Sequence, residues 1–254
     1  MSLADSGARP SMVVRASPPF LLSFVAGFVD VVGFIALFGL FTAHVTGNFI
    51  MIGIDLSSPT APLLLAKILA LPTFVLAVAG TRILESRLVR NNRLPVPVML
   101  LVQCILLATF MGLAYLSLPI RNANDPVAVL AGLSAVAALG IQNSLARTAL
   151  AEFGATTVMT GNTTQLVIDL VDLQGASQDQ RSVLTKRIWK TAPAIVGFVI
   201  GAGLGSASYS LFSFWCVLLP IGALVFVSAS IAQQSRAAGF HENGMLSTIF
   251  RNRP

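Results

Sequence analysis

Six apolar stretches of about 20 residues constrain this chain more than any other feature of its sequence. About 20 apolar residues in a helix cross the roughly 30 Å hydrocarbon core of a bilayer, whereas a spanning β-strand needs only about 10 alternating residues. Charged residues make up only 10% of the chain, against about 25% in soluble domains. The sequence therefore predicts an all-α, polytopic helical membrane protein in a lipid bilayer. Its predicted spans cover about residues 20–41, 62–82, 96–118, 127–148, 190–208 and 211–232.

The chain divides into four predicted regions. Residues 1–19 are polar and contain arginine and proline, which predicts a disordered cytoplasmic N-terminus. The apolar run that follows is longer than the core of a signal peptide, so it is expected to remain as the first span. Residues 20–118 and 119–232 each hold three predicted spans, and residues 233–254 form a basic cytoplasmic tail.

Basic residues lie mostly in segments that share one side of the membrane. If the N-terminus is cytoplasmic, fourteen of the sixteen lysines and arginines are inside, while Arg121 is outside and Lys67 is near the outer end of the second span. Because cytoplasmic loops are enriched in lysine and arginine, we expect a multi-pass membrane protein with both termini in the cytoplasm. The same distribution accounts for the net charge of +6, so no nucleic-acid partner is expected.

A short polar signature occurs twice in this apolar sequence. Thr46-Gly47-Asn48 recurs as Thr160-Gly161-Asn162, and an Ile-Asp-Leu triplet follows each copy at the same distance, at residues 54–56 and 168–170. The two matches occur in the same order, which predicts an internal duplication with three spans in each half. A third match is the eight-residue spacing from proline to glycine in the second and fifth spans, from Pro72 to Gly80 and from Pro193 to Gly201.

The two TGN segments, at about residues 43–56 and 157–171, are apolar but short. Counting them as spans would give eight helices and lower the ratio of inside to outside basic residues from about 14:1 to about 10:5. Six spans with one re-entrant segment or half-helix in each half agree better with the charges. Because three spans separate the copies, they would enter the membrane from opposite sides, as in the inverted repeats of secondary transporters.

Asp30 is the clearest candidate site residue, because it lies within the first predicted span. A charged aspartate there costs about 2.5–3.5 kcal/mol on the insertion scale, and residues so placed usually face the bundle interior and serve function. Asn143, which follows Gln142, takes the equivalent place in the second half. The functional interpretation is a site for a proton, a cation or a polar solute. The alternative is an aspartate that holds helices together by bonding to Gln142, Asn143 or Gln103.

The TGN signatures combine a hydroxyl, a flexible glycine and an amide. They predict a discontinuous helix whose polar groups face a substrate, although a capped turn that begins a short helix would use the same residues. His44 could relay protons, but its counterpart is Val158 and a lone interfacial histidine is more often incidental. The predicted substrate-binding residues of the two copies are Thr46, Gly47 and Asn48, and Thr160, Gly161 and Asn162.

Glycines recur at every fourth position on one face of the fifth predicted span, at Gly197, Gly201 and Gly205. Such stripes let helix backbones approach closely. The sequence leaves open whether the partner helix is internal or belongs to a second subunit in a homodimer. The membrane segments contain no P-loop, nucleophile elbow or zinc-protease motif, so neither an enzyme activity nor a cofactor nor a metal is expected.

Two functional hypotheses follow. The first is a transporter of a small solute or ion that works by alternating access, with a site near the midplane between the first and fourth spans and the two TGN segments. The second is a non-transporting scaffold, sensor or partner subunit, in which the polar pairs are structural.

The paired signatures also resemble a known family. Residues 27–30 together with 41–48, and residues 140–143 together with 157–162, resemble the YoaK-like family of bacterial inner-membrane proteins. The resemblance extends over about residues 20–232. It implies a six-helix integral membrane protein and brings no settled activity or substrate.

Overall fold

The computed structural model describes residues 12–57 and 65–237. Within these ranges the secondary structure is helical, with short 3-10 turns at Ala151–Phe153 and Ser213–Val217, and no strand occurs. The all-helical class predicted from the sequence is therefore confirmed for the described part of the chain. The helices are α1 (Met12–Ala36), α2 (Gly47–Ser57), α3 (Leu65–Arg90), α4 (Pro95–Leu116), α5 (Pro126–Leu145), α6 (Met159–Gly175), α7 (Gln178–Phe212) and α8 (Leu218–Ala237).

Several helical segments are long and apolar enough to cross a membrane. Over residues 12–57 and 65–237 there are five, judged by length and composition. The last is a 58-residue segment that contains α7 and α8 up to Ser235. The two helices are separated at Ser213, where φ is 50°. Within the described residues the apolar helix α2 has 11 residues, fewer than the about 20 that a span needs. The five segments are Pro18–Ala36, Leu65–Arg90, Pro95–Leu116, Pro126–Leu145 and Gln178–Ser235.

The first helix is displaced from its predicted position. It begins at Met12, so the chain from that residue is helical where disorder was predicted, and residues 1–11 lie outside the described residues. It ends at Ala36 rather than 41, because Phe38 and Gly39 take left-handed φ values of 54° and 81° and turn the chain back. This early end gives the loop that follows enough length to return along α1.

The seventh helix begins earlier than predicted. It starts at Gln178, whereas the apolar run predicted a start near 190. The cause is a capping box, in which the Ser177 side chain accepts from the first turn and the Gln180 side chain accepts the Ser177 N–H at 3.0 Å. Most of the connection predicted between the second TGN segment and the fifth span, at about residues 172–189, is thus the first part of α7. At the other end α8 stops at Ala237, and the rest of the predicted basic tail lies outside the described residues.

Helices of the two predicted halves pack mainly against each other. In α1, 61% of the span is buried, and in α5 67% is buried, against 17% of α3, so α1 and α5 form the centre. The principal contacts across the halves are α1 with α7, α3 with α5, α4 with α5 and α4 with α8.

The relative directions of these helices follow from individual contacts. Phe20, Phe24 and Phe28 of α1 meet the three stripe glycines of α7 in ascending order, so α1 and α7 are parallel. In contrast, Cys104 of α4 contacts the Ile221 carbonyl of α8, and Ser228 of α8 contacts the Pro97 carbonyl of α4. The higher number in one helix meets the lower number in the other, so α4 and α8 are antiparallel.

Candidate functional site

Asp30 binds the loop that follows its own helix. Its Oδ1 accepts the backbone N–H groups of Thr42 and Ala43, each at 2.7 Å, and contacts the Thr42 hydroxyl at 3.3 Å. Its Oδ2 lies 2.7 Å from Nδ1 of His44. The aspartate is only 5% exposed. We name these four residues the Asp30 cluster, and in it the carboxylate holds the returning loop against α1.

His44 belongs to this cluster although its sequence context suggested an incidental residue. Its side chain is 34% exposed, and its ring meets Phe198 of α7 edge-on, with centroids 5.5 Å apart. The hydrogen bond to Asp30 raises the pKa of His44 above its ordinary value of 6.5; burial opposes this effect, and the negative charge of Asp30 adds to it. The histidine therefore connects the loop to both α1 and α7.

Asn48 ties the start of α2 to the same loop. Its Oδ1 accepts the Phe41 N–H and its Nδ2 donates to the Phe41 carbonyl, both at 2.9 Å. Asn48 is 1% exposed, and each of its side-chain polar atoms has a backbone partner. Gly47 lies beneath the Phe41 ring, where a Cβ would be too close, while Thr46 is exposed. The asparagine thus fixes the loop instead of capping α2.

The second TGN segment makes a related set of contacts. Nδ2 of Asn143 donates to Oγ1 of Thr157 at 2.8 Å, so the polar residue of α5 also binds the loop after its own helix. Nδ2 of Asn162 donates to the Ala155 carbonyl at 2.8 Å, again seven residues back. The two halves differ in detail, because Asn162 has one such backbone bond where Asn48 has two. Thr160 and Gly161 are both exposed.

Gln142 lies in a fully buried amide network beside Asn143. Its Nε2 donates to the Leu22 carbonyl of α1 at 2.8 Å and to the Thr156 hydroxyl at 3.0 Å. Its Oε1 accepts from Nε2 of Gln103 in α4 at 2.9 Å. We call Gln142, Asn143, Thr156 and Thr157 the Asn143 cluster. It joins α1, α4, α5 and the second loop.

The predicted site residues are thus distributed over two clusters. Among the described residues, Asp30 makes its hydrogen bonds within the loop of the first half and Asn143 within that of the second, and neither bonds to the other. Asp30 lies six residues before the end of α1, whereas Asn143 lies two residues before the end of α5. The single site near the midplane stays a prediction, and it would lie between these two clusters.

Two ion pairs were not identified from the sequence, although the repeated Ile-Asp-Leu triplets offered a signal. Asp55 of α2 pairs with Lys67 of α3 at 2.9 Å, and Asp169 of α6 pairs with Arg187 of α7 at 2.5 Å. The lysine side chain is 1% exposed and the arginine 46%. Gln165 also donates to Asp169 at 2.8 Å. Each pair joins a short helix to the long helix that follows it.

Other polar features lie away from the two clusters. Glu85 of α3 is fully buried, with one oxygen 3.2 Å from Arg82 and the other without a hydrogen-bond partner among the described residues. A groove of about 700 Å³ lies between α6 and α7, is lined in part by Asp172, Asp179 and Arg187, and touches none of the predicted site residues. Over residues 12–57 and 65–237, no group of three or more metal-binding side chains comes together.

Comparison with known proteins supports the membrane assignment. No solved structure matches the chain. It is 25% identical over 206 residues to the UPF0700 transmembrane protein YoaK of Bacillus subtilis (strain 168), an alignment that covers 81% of this chain and 88% of the relative. The family described as "Protein of unknown function (DUF1275)" matches residues 19–230. Because this match covers most of the chain, the protein belongs to the DUF1275 family, in agreement with the resemblance to YoaK-like membrane proteins.

Proposed function

We propose that this protein is a transporter of a small solute or ion in a bacterial inner membrane, in which α2 and α6 are half-helices that enter from opposite sides. One observation carries the proposal: similar hydrogen bonds occur twice, in the loops that precede the short helices α2 and α6. In each half a polar residue of the preceding helix binds the following loop, and an asparagine bonds to a backbone carbonyl seven residues back. Discontinuous helices of this kind form the substrate sites of many secondary transporters.

Helix packing supports the duplication independently. Gly27 of α1 lies against Phe198 of α7, and Gly140 of α5 lies against Ala77 of α3. Phe198 precedes Gly201 of α7 by three residues, as Ala77 precedes Gly80 of α3. The α1–α7 and α3–α5 contacts are therefore built from equivalent positions of the two halves.

The antiparallel packing of α4 and α8 supports six spans. With six spans, α4 is the third and α8 the sixth, so they cross in opposite directions. If α2 and α6 also spanned, α4 would be the fourth and α8 the eighth, and the two would be parallel. With the N-terminus in the cytoplasm, the Asp30 cluster is then toward the outer face and the Asn143 cluster toward the cytoplasmic face.

The glycine stripe bears on the alternative of a scaffold or partner subunit. All three stripe glycines lie against the α1 backbone of the same chain, so the stripe offers no free surface for a second subunit. A buried carboxylate within a span is costly for a role that only holds helices together. Both observations favour the transporter.

The inverted arrangement can be tested with Thr46→Cys and Thr160→Cys, which are equivalent and exposed. The background carries Cys104→Ala and Cys216→Ala, since both native cysteines are free and buried. A membrane-impermeant maleimide added to sealed, oriented vesicles should label the two positions from opposite sides. The cysteine-free background controls for non-specific labelling, and permeabilised vesicles should label both. Labelling from the same side would contradict the inverted repeat.

Transport itself requires a solute. A thermal-shift screen of purified protein identifies stabilising compounds, because any ligand that binds only the folded state raises its stability by mass action. Uptake of each compound found is then measured in proteoliposomes. Asp30→Asn should abolish uptake, whereas Asp172→Asn, which removes an exposed carboxylate, should not. Unchanged uptake in Asp30→Asn would remove Asp30 from the mechanism. Stabilising compounds that wild-type protein never moves would favour a sensor.

A further inference from the structure

We propose that His44 binds a proton beside an ionised Asp30, and that the proton is the coupling ion of the carrier. Only the coupling step rests on the transporter proposed above. The proton-binding site stands on the geometry of the Asp30 cluster alone.

The partners of Asp30 match an ionised carboxylate. Two backbone N–H groups, from Thr42 and Ala43, point at one oxygen, and the imidazole of His44 contacts the other. An ionised carboxylate only accepts hydrogen bonds, so a full set of donors around it suits the charged form. The donors around Asp30 therefore suit it as the counter-charge of the proposed site.

The tautomer of His44 follows from this arrangement. Because Oδ2 of Asp30 accepts, Nδ1 of His44 carries the hydrogen in the neutral ring. The remaining basic atom is Nε2, and a proton from solution adds there to form the imidazolium. The pair then changes from a net charge of −1 to neutrality. The ring is one third exposed, so solvent can deliver the proton. The raised pKa of His44 agrees with this placement.

A metal cation fits these surroundings poorly. Hard cations such as Ca²⁺ and Mg²⁺ are held by several oxygen ligands, whereas the nearest partners of the Asp30 oxygens are two N–H groups and an imidazole. Among the described residues, Asp30 is the titratable group in contact with His44; α7 presents Phe198, and the loop presents Phe41. The local chemistry therefore favours a proton.

The second half lacks this site. Asn143 stands where the first half has Asp30, and Val158 stands where it has His44, so neither member of the pair is titratable there. The aspartate–histidine pair is thus present at one loop only, so the two halves of the proposed carrier are not equivalent.

Histidine NMR tests the site directly, because the chain has only two histidines, His44 and His241. The full-length protein, with isotope-labelled histidine, is titrated in lipid nanodiscs between about pH 5 and 9, around the ordinary range of histidine. His44→Val and His241→Gln assign the two signals. We expect His44 to titrate above 6.5, and Asp30→Asn to move its pKa down toward or below that value. Because Asn143 occupies the equivalent position, asparagine is a mild replacement at Asp30.

Asp172→Asn is the matched control, since it removes an exposed carboxylate from α6 and should leave the titration of His44 unchanged. The same titration of His44 in wild type and Asp30→Asn would overturn the proton site, whatever the protein transports. For coupling, a pH gradient should accelerate uptake in wild type and not in His44→Val. Equal acceleration in both would overturn proton coupling. A wild type that moves no solute would reject the transporter, and the NMR titration alone would then decide whether His44 binds a proton.

Discussion

The close contact between α1 and α7 allows a quantitative prediction for Gly201→Ala. Gly201 of α7 lies against the Phe24 carbonyl of α1, and a Cβ there would fall well inside van der Waals contact with that backbone group. Two backbones cannot rotate away as a flexible side chain could, so the helices must separate. Gly203 lies on the same helix, is exposed and has nothing within 4 Å of an added Cβ. Gly203→Ala is therefore the matched control.

The expected magnitude follows from two opposing terms. Replacing glycine by alanine inside a helix stabilises it by about 1 kcal/mol at either position. At Gly201 the added methyl also overpacks the interface with α1, which costs about 1–3 kcal/mol. Because the helix term is common to both variants, their difference isolates the overpacking term. We expect Gly201→Ala to be less stable than Gly203→Ala by about 1–3 kcal/mol.

The assay is unfolding in a mild detergent, followed by intrinsic fluorescence and by the midpoint Tm. Gly203→Ala should melt at or slightly above wild type, and Gly201→Ala clearly below Gly203→Ala. The Tm of Gly201→Ala should not depend on protein concentration, since the contact is internal. Equal Tm values for the two variants would refute the close α1–α7 contact, and a concentration-dependent loss would assign the stripe to a subunit interface.

Three further predictions concern the polar contacts, and Tm reports on each. Asp55→Asn should destabilise the protein by about 3–5 kcal/mol, because it leaves the buried Lys67 unpaired. The loss should be smaller for Asp169→Asn, because its partner Arg187 is 46% exposed. Equal losses would contradict this effect of burial. Asn48→Ala should cost more than Asn162→Ala, because it leaves two backbone groups unpaired rather than one, at about 1–3 kcal/mol each; the reverse order would rule out this account. Folding raises the pKa of His44 above 6.5, so protonation of His44 stabilises the folded protein. This contribution is fully present below pH 6.5 and is lost as the pH rises through the raised pKa. The excess Tm of wild type over His44→Val should therefore fall on the alkaline side, and a constant difference would exclude this linkage.

Hydropathy predicted the helical class and the approximate positions of the long helices, because apolar length is a property of the local sequence. The helix ends were harder to predict. The α1 end depends on Asp30, whose carboxylate takes loop N–H groups twelve and thirteen residues away. The start of α7 was signalled locally by Ser177 and Gln180, but the search for apolar runs passed over a polar segment.

The candidate site was predictable in part. The TGN repeats and Asp30 pointed to the two loops, since duplicated polar residues in an apolar chain are conspicuous. The partner of Asn48 was not predictable, because either a cap or a tie to Phe41 satisfies the amide. The bond between Gln103 and Gln142 depends on how α4 packs against α5. The repeated Asp55 and Asp169 were visible, but no sequence rule identified their basic partners.

The packing of α1 in the first predicted half against α7 in the second has a consequence for biosynthesis. The glycine-contacting face of α1 is covered by α7, which is made only after the five intervening α-helices have been synthesised. Until α7 is made, α1 lies in the lipid without the helix that it contacts most. The final packing of α1 therefore requires synthesis of the last third of the chain. In the duplication proposed above, a half-length ancestor could have buried the same face only by pairing with another copy inserted in the opposite orientation. Covalent linkage of the two halves would then secure that pairing.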